Sequence, residues 1–457
     1  MKRLRAPLLA PSPVRLAAAL WLCVGATTAA QSQSLVELYQ AARGYDAGYL
    51  GAKSQYEANL ARANQALGGI LPNIALNTTL TRTYLDFRPE QVVPPNVVPS
   101  QRAYGTNTGA IVLTQPLYRP ANWAVYRQAD QQTQQAVAVY EAAEQDLLVR
   151  VSQAYFDVLG AEDTLSFVQA QKKAVGEQLA AARRNFEVGA TPITGVRDAQ
   201  ARYDLTVTQE IAADNDLRVK RLALDQLVGQ QNTRPKRLGR TERLVQAPNE
   251  SLESWVTLAE DTNPLVRQAR LGLEVARLEV DKAFAGHKPT VDAQLAVVRT
   301  QNIDGTAVNN YDSRAFAPYA QVVMSVPLFS GFATQNKVRE TEALATKAQA
   351  DLDAARRNTA QATRSAYLGL MSGLSQVKAY ESAEASTQSS LDANKLGYSV
   401  GVNISIDVLN AQSQLFQTKR DLAKARYDVL VTSLKLRQAA GTLAPQDLQA
   451  INDLLER

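Results

Sequence analysis

The amino-acid sequence predicts a mainly α-helical protein that also contains four β-strands and is built from two copies of one unit. Two very long segments contain almost no proline and are rich in Ala, Gln, Leu, Arg and Glu. Four shorter segments alternate apolar with polar residues, and one residue pattern recurs at constant spacing along the chain of 457 residues. These observations predict long helices, half-buried strands and an internal duplication, respectively.

The N-terminal segment has the pattern of a secretory signal peptide. Basic residues come first, an apolar run follows over residues 16–24, and small residues lead to Ala30. This run is shorter than the roughly 20 residues that a membrane-spanning helix needs, which argues against the alternative of an N-terminal anchor. The only cysteine, Cys23, follows Leu22, where a lipoprotein signal has a small residue. We therefore expect a signal peptide at 1–30 and a mature chain without lipid anchor or disulfide.

The charge balance argues against nucleic acid as a partner. The formal net charge is +5, but the predicted signal peptide contributes four basic residues and no acid. The mature chain is then nearly neutral, so we expect no basic surface for nucleic acid.

The mature region, residues 31–457, is predicted to be one unit made of two tandem repeats, about 31–229 and 250–441. Aromatic and glycine positions recur 212 residues later, as in Tyr155 and Tyr367 or Gly189 and Gly401. A constant spacing at such positions is not expected by chance, and it predicts the same order of elements in both halves.

Each repeat is predicted to begin with a shorter helix, at Leu35–Leu67 and Leu265–Ala285, and to have a very long helix after its strands, at Asn122–Glu187 and Thr334–Leu396. At 1.5 Å per residue each long helix reaches about 100 Å. An apolar stripe over residues 147–165 has helical spacing, so these helices must pack against others. On the helices alone, a periplasmic coiled-coil structural or adaptor protein without a pore remains an alternative.

The strands favour a different reading. Segments near 74–84, 106–118, 290–302 and 317–329 each have one apolar and one polar face, which is typical of outer-membrane β-barrels in an exported protein. Four strands do not close a barrel, and an open sheet edge is not tolerated in lipid. Several copies must therefore share one barrel, and two copies would supply eight strands while three would supply twelve.

Both predicted hairpins have long polar tips. Residues 88–102 contain four prolines, and residues 300–313 are rich in Asn, Asp and Gly. Long polar connections are typical of the extracellular side of such barrels. We expect these tips, including Asn96 and Asn309, to face the exterior, with the helices in the periplasm.

Several motifs resemble those of the TolC-type outer-membrane efflux protein family, in its branch without a lipid anchor. They are the turn segments Asn185–Val196 and Leu396–Gly401, with Ile406–Leu409, Gly286–Thr290 and Gly441–Leu443. The resemblance covers essentially the whole mature chain in the same order. It implies a homotrimer with a shared barrel of twelve strands in outer-membrane lipid, joined to a long periplasmic α-helical barrel. It also implies export of proteins or small molecules together with a periplasmic membrane-fusion adaptor and an inner-membrane ABC or RND-type pump.

The resemblance further implies that the two turn segments close the periplasmic entrance of the tunnel. The tyrosine of the closing contacts corresponds to Tyr398, and one carboxylate of a ring around the axis corresponds to Asp407, which makes Asp407 a candidate cation ring. Thr194 keeps the family's residue beside a departure at Gly195, where the family has an aspartate.

Two further departures lie at the same entrance. Asn403 stands where the family has an arginine, and Asn410 stands where it has a second ring aspartate. The arginine–aspartate pair is therefore absent as a unit, and we expect closing contacts through Tyr398, Asn403 and Thr194 instead. With one ring of charge, cation preference is expected to be weaker than in a member with two.

Enzymatic function is not predicted. The sole histidine, His287, precedes Pro289 with no second histidine or cysteine beside it, and the sequence shows no nucleophile motif or phosphate-binding loop. No cofactor and no metal site, apart from the candidate cation ring, is expected.

Overall fold

The computed structural model describes residues 32–88, 100–189, 192–239, 248 and 250–456. The predicted signal peptide and the tip at 89–99 lie outside these residues. The first half comprises α1 (Leu35–Tyr45), α2 (Ala47–Gly68), β1 (Asn73–Phe87), β2 (Ser100–Tyr118), α3 (Pro120–Glu187) and α4 (Ile193–Val228). The second half repeats this order as α5 (Leu252–Thr262), α6 (Pro264–Phe284), β3 (Thr290–Ile303), β4 (Ser313–Ser325), α7 (Ala333–Ser399) and α8 (Ser405–Ala439), followed by α9 (Pro445–Asn452).

The first predicted helix, Leu35–Leu67, is divided at Asp46. The Asp46 side chain accepts a hydrogen bond from the Tyr49 N–H at 2.8 Å and so caps the start of α2. Arg150 of α3 donates to both carboxylate oxygens of Asp46, at 2.9 and 3.1 Å, and this holds the pKa of Asp46 below its usual value. The break therefore anchors the α1–α2 corner to the middle of α3.

The second repeat has a corresponding break at Asn263, between α5 and α6. The sequence analysis predicted only the helix after this break and missed α5. The buried Asn263 caps α6 by accepting from the Leu265 N–H at 2.8 Å, and it donates to the Ala439 carbonyl at the end of α8. Gly441 has φ +74°, and a Cβ there would lie 2.5 Å from the Asn263 Cα. Only glycine permits this approach.

The four strands form one antiparallel sheet in the order β1-β2-β3-β4. Among the described residues, the outer edges of β1 and β4 have no strand partner. Such edges present rows of unpaired backbone N–H and C=O groups, which must pair elsewhere if the sheet lies in lipid.

Register separates the sheet into two chemically different faces. Leu76, Ile111 and Val297 lie side by side on one face, here named the apolar face, and are 73%, 55% and 42% exposed. The opposite, polar face carries a row of three threonines in register, Thr79, Thr108 and Thr300. One face is thus suited to lipid and the other to water.

The strand limits differ from the predicted ones at the hairpin ends of β1 and β2 and at both ends of β4. β2 begins at Ser100, before the predicted 106, since its pairing with β1 continues to Phe87. β4 spans Ser313–Ser325 in place of the predicted 317–329. Pro327 has no N–H to donate, which is consistent with the strand ending before it.

The hydrophobic core lies halfway along α3, where α1, α8 and α9 pack around it. Leu147, Val151 and Val158 of the predicted apolar stripe are fully buried there, as are Leu38 of α1 and Leu430 of α8. α3 and α4 form one helical hairpin, and α7 and α8 form the other. Within the described part of the chain, no helix combines the length and the apolar character needed to cross a membrane.

Candidate functional site: the tips of the helical hairpins

The turn between α3 and α4 is built on a left-handed glycine. The Val188 N–H bonds to the Arg184 carbonyl at 3.2 Å, and Gly189 then takes φ +75°. Pro192 precedes α4, whose second and third residues are Thr194 and Gly195. Thr194 is exposed and Gly195 partly exposed at the tip of this hairpin.

The turn between α7 and α8 has the same design at the equivalent position. Gly401 takes φ +81°, and the N–H groups of Val402 and Asn403 both bond to the Gly397 carbonyl. A Cβ at Gly397 would lie 2.6 Å from the Asn403 side-chain nitrogen, so a larger residue at 397 would displace the Asn403 side chain from this position. Asn403 then donates to the Asn394 side-chain oxygen at 2.9 Å.

Near the tips, three side-chain hydrogen bonds between described residues join the two hairpins within one chain. Asn185 of α3 donates to the Tyr398 hydroxyl at 3.3 Å, and Gln178 donates to the Ser405 hydroxyl at 3.0 Å. Arg202 of α4 donates to the Asn410 side-chain oxygen at 2.7 Å. The hairpin tips are therefore connected through polar groups at three levels.

An apolar contact reinforces these bonds. Leu409 of α8 is only 2% exposed and packs in one cluster with Val175 and Leu179 of α3 and Ala199 of α4. Burying a leucine side chain stabilises a contact by about 2 kcal/mol. Leu409 thus packs the start of α8 against the other hairpin, next to Asp407 and Asn410.

Asp407 has a local role in the single chain. It is the third residue of α8, and its carboxylate accepts the Ile404 N–H at 3.2 Å, which satisfies one of the free donors at the helix start. About one helical turn further on, the uncharged Asn410 accepts a hydrogen bond from the Arg202 guanidinium. The family resemblance implies a second ring carboxylate at this position. The charge therefore changes from negative to positive between these two levels.

The structure brings together only part of the predicted set. Tyr398 contacts Asn185, and Asn410 contacts Arg202, whereas Asn403 bonds within its own hairpin. Within the described residues of one chain, no hydrogen bond joins Thr194 to the other hairpin.

Sequence reasoning missed the partners of the predicted residues. The 212-residue repeat relates Asn185 to Gly397, which is next to Tyr398. This equivalence was the one sequence signal that pointed to the contact between Asn185 and Tyr398. No corresponding signal pairs Arg202 with Asn410.

The described part of the chain contains no group of three or more His, Cys, Asp or Glu residues able to hold a metal ion. His287 is exposed and stacks edge-on against Phe284, with ring centroids 5.9 Å apart.

A sheet with one apolar and one polar face, continuous with two helical hairpins whose longer helices each span about 100 Å, is the architecture of outer-membrane channels that extend into the periplasm. The family model described as "Outer membrane efflux protein" matches residues 31–230 and 255–442, and the chain belongs to this family. It is an efflux channel of the outer membrane, with a periplasmic extension.

Individual relatives agree with this assignment. The chain is 31% identical to the outer membrane protein TolC of Vibrio cholerae over 93% of this chain and 94% of that protein. It is 28% identical to the proteases secretion protein PrtF of Dickeya chrysanthemi, over 92% of this chain and 91% of that protein. The fold superimposes on the CmeC outer membrane channel of Campylobacter jejuni with a TM-score of 0.75 at 14% identity, covering 100% of this chain and 98% of that one. These relatives favour the channel over the periplasmic coiled coil without a pore.

Proposed function

We propose that three copies of the chain close one barrel of twelve strands and one helical tunnel, and that this assembly is a passive conduit for export. The observation that carries the proposal is the four-stranded sheet with two unpaired edges and one apolar face. Pairing β4 of each copy with β1 of the next satisfies every edge, as lipid requires.

The hairpin tips form the periplasmic entrance of this conduit. The contacts of Tyr398 with Asn185 and of Asn410 with Arg202 hold each chain's hairpins together, which supports a closed resting state. Within the described residues of one chain, Thr194 and Asn403 form no hydrogen bond between the hairpins, and together with Gly195 they are available to a neighbouring copy. Three copies of Asp407 around the axis form one ring of negative charge, which favours cations.

The partners follow from the passive character of the conduit. The chain works with an inner-membrane pump of ABC or RND type through a periplasmic membrane-fusion adaptor, and it binds no nucleic acid. It has no catalytic activity and uses no cofactor. The printed name of the relative PrtF refers to secretion of proteases, which supports proteins as one class of cargo beside small molecules.

The domain organisation of the precursor belongs to the same proposal. Residues 1–30 are a signal peptide, and the rest is one unit of two tandem repeats, about 31–229 and 250–441. The family model matches in two segments, and the order of elements in the first half recurs in the second, which supports a duplication.

Two measurements test the conduit. The mass of the detergent-solubilised protein should equal three chains, and the purified protein should form channels in a planar bilayer. A stable folded monomer, or a trimer without conductance, would contradict the proposal.

A further inference from the structure

Three arginines lie on the apolar face of the sheet towards its loop end, Arg82 of β1 and two others that are unlike it in having no ion pair among the described residues. Arg299 of β3 lies in register with Gly109 of β2 and Phe316 of β4. Arg314 is the second residue of β4 and lies in register with Gln301, two positions beyond Arg299. Because side chains alternate between faces, both arginines share the face that the apolar rows occupy.

Among the described residues of one chain, neither Arg299 nor Arg314 has an anion that balances its charge. Both side chains are exposed, and among the residues that the structure describes neither forms an ion pair, whereas Arg82 on the same face pairs with Asp304 at 3.6 Å. Arg299 and Arg314 are diagonal neighbours on adjacent strands, whose Cα atoms lie about 7–8 Å apart. Two unpaired cations at this spacing beside lipid repel each other, and an anion between them removes this repulsion.

A groove begins beside the two guanidinium groups. It is open, has a volume of about 540 Å³, and is lined by both arginines with Phe316, Gly109, Ile111 and Val297. A Cβ built at Gly109 would meet no atom within 4 Å, so the missing side chain leaves free space in the floor. The groove therefore combines a cationic end with an apolar floor.

The level of the arginines selects the membrane leaflet. Arg299 comes nine residues after Thr290, which at about 3.3 Å per residue and a tilt of about 45° lies roughly 20 Å above the helix end of the sheet. The apolar band of such barrels is about 25 Å tall. The guanidinium groups thus lie near the outer interface of the membrane.

We propose that this groove binds a phosphorylated glycolipid of the outer leaflet, the lipid A part of lipopolysaccharide, with a phosphate between Arg299 and Arg314. Guanidinium groups bind phosphate oxygens through paired, charge-assisted hydrogen bonds. One acyl chain of the lipid lies in the groove over Gly109 and against Ile111. This site lies at the opposite end of the molecule from the periplasmic entrance and is independent of it.

The test is native mass spectrometry of the purified detergent-solubilised protein titrated with bis-phosphorylated, hexa-acylated lipid A. The same lipid after removal of its phosphates should bind about tenfold more weakly, as expected for loss of charge-assisted hydrogen bonds. The double variant Arg299→Gln, Arg314→Gln should weaken binding of the phosphorylated lipid by a similar factor. Lys288→Gln is the matched control, because it removes a positive charge just before β3 at the other end of the sheet.

Several outcomes would overturn the proposal. Equal binding of the phosphorylated and phosphate-free lipids would remove the role of the phosphate, and this comparison needs only the unmodified protein. Equal weakening by Lys288→Gln would reduce the effect to overall charge. Tighter binding of phosphatidylglycerol than of lipid A would replace the glycolipid by a general anionic phospholipid. The supporting result is that the variant Arg299→Lys, Arg314→Lys still binds phosphorylated lipid A, whereas the variant Arg299→Gln, Arg314→Gln does not.

Discussion

The hydrogen bond from Asn185 to Tyr398 links the two hairpins near the proposed entrance, and Tyr398→Phe removes only the accepting hydroxyl. The bond is 3.3 Å long and partly solvent-accessible, so its net contribution lies near the low end of the usual range, about 0.5–1 kcal/mol per chain. If three chains open together, the closed state loses about 1.5–3 kcal/mol, which raises the ratio of open to closed channels roughly tenfold to a hundredfold.

Single-channel recordings in planar bilayers measure this ratio directly as the fraction of time in the high-conductance state. Tyr380→Phe is the matched control, since Tyr380 lies on the same helix and makes no side-chain hydrogen bond with the described residues. Asn185→Ala removes the donor. In a double-mutant cycle, the double variant should open no more than Tyr398→Phe alone, because both changes remove the same bond.

Two results would refute this reasoning. The first is an unchanged open fraction in Tyr398→Phe while the trimer remains intact. The second is full additivity of Tyr398→Phe and Asn185→Ala, which would mean that the two side chains act through different contacts.

Three further predictions concern the ring, the loops and the α1–α2 corner. Asp407→Ala should reduce cation preference and block by multivalent cations. Asn410→Asp should strengthen this block, and the effect should be larger when Arg202 is also changed to Gln, because the guanidinium otherwise neutralises the new carboxylate. Bilayer conductance measures both effects. An epitope inserted beside Asn309 should be labelled on intact cells. Asp46→Asn should lower stability by about 1 kcal/mol at pH 7, and this difference should shrink as the pH falls below about 4. Because the pKa of Asp46 is lowered in the folded protein, its carboxylate stabilises the fold above the pKa of the unfolded state, and this stabilisation is lost as the pH falls through the pKa of the folded state. Thermal unfolding at several pH values measures this change.

Each of these predictions has a contrary outcome. Unchanged selectivity and block in Asp407→Ala would leave the carboxylate as a cap for the α8 helix start only. Labelling of the epitope only after disruption of the outer membrane would invert the topology. A constant stability difference for Asp46→Asn from pH 7 to pH 3 would mean that its ion pair with Arg150 contributes nothing.

The elements that sequence reasoning predicted are those that local patterns determine. Alternation of apolar and polar residues, as in β1 and β3, indicates a strand with one apolar face without any knowledge of its neighbours. Four such strands per chain were predicted, and they are confirmed. The long helices were recognised from composition, and α3 and α7 begin and end within three residues of the predicted limits.

The features that were missed depend on contacts distant in sequence or on caps inside a helical pattern. Asn263-Pro264 is a recognisable helix start, with a capping side chain followed by proline at the first helical position, yet α5 was not predicted before it. The contact of Arg202 with Asn410 joins residues 208 positions apart. It depends on how the Ala-rich helices are rotated about their axes, and such helices have too weak an apolar stripe to fix that rotation from sequence.

The position of the core along α3 has a mechanical consequence. The fully buried residues of this core end near Leu159, and the helix continues to Glu187. An arm of 28 residues, about 42 Å, therefore projects beyond the core, and it is held at Val175 and Leu179 by the smaller cluster around Leu409. A tilt of about 10° at the core would carry the end of this arm sideways by about 7 Å while the buried side chains near the pivot shift by far less. A stiff arm of this kind turns a small rotation at the core into a displacement wider than a water molecule at the tip of the hairpin.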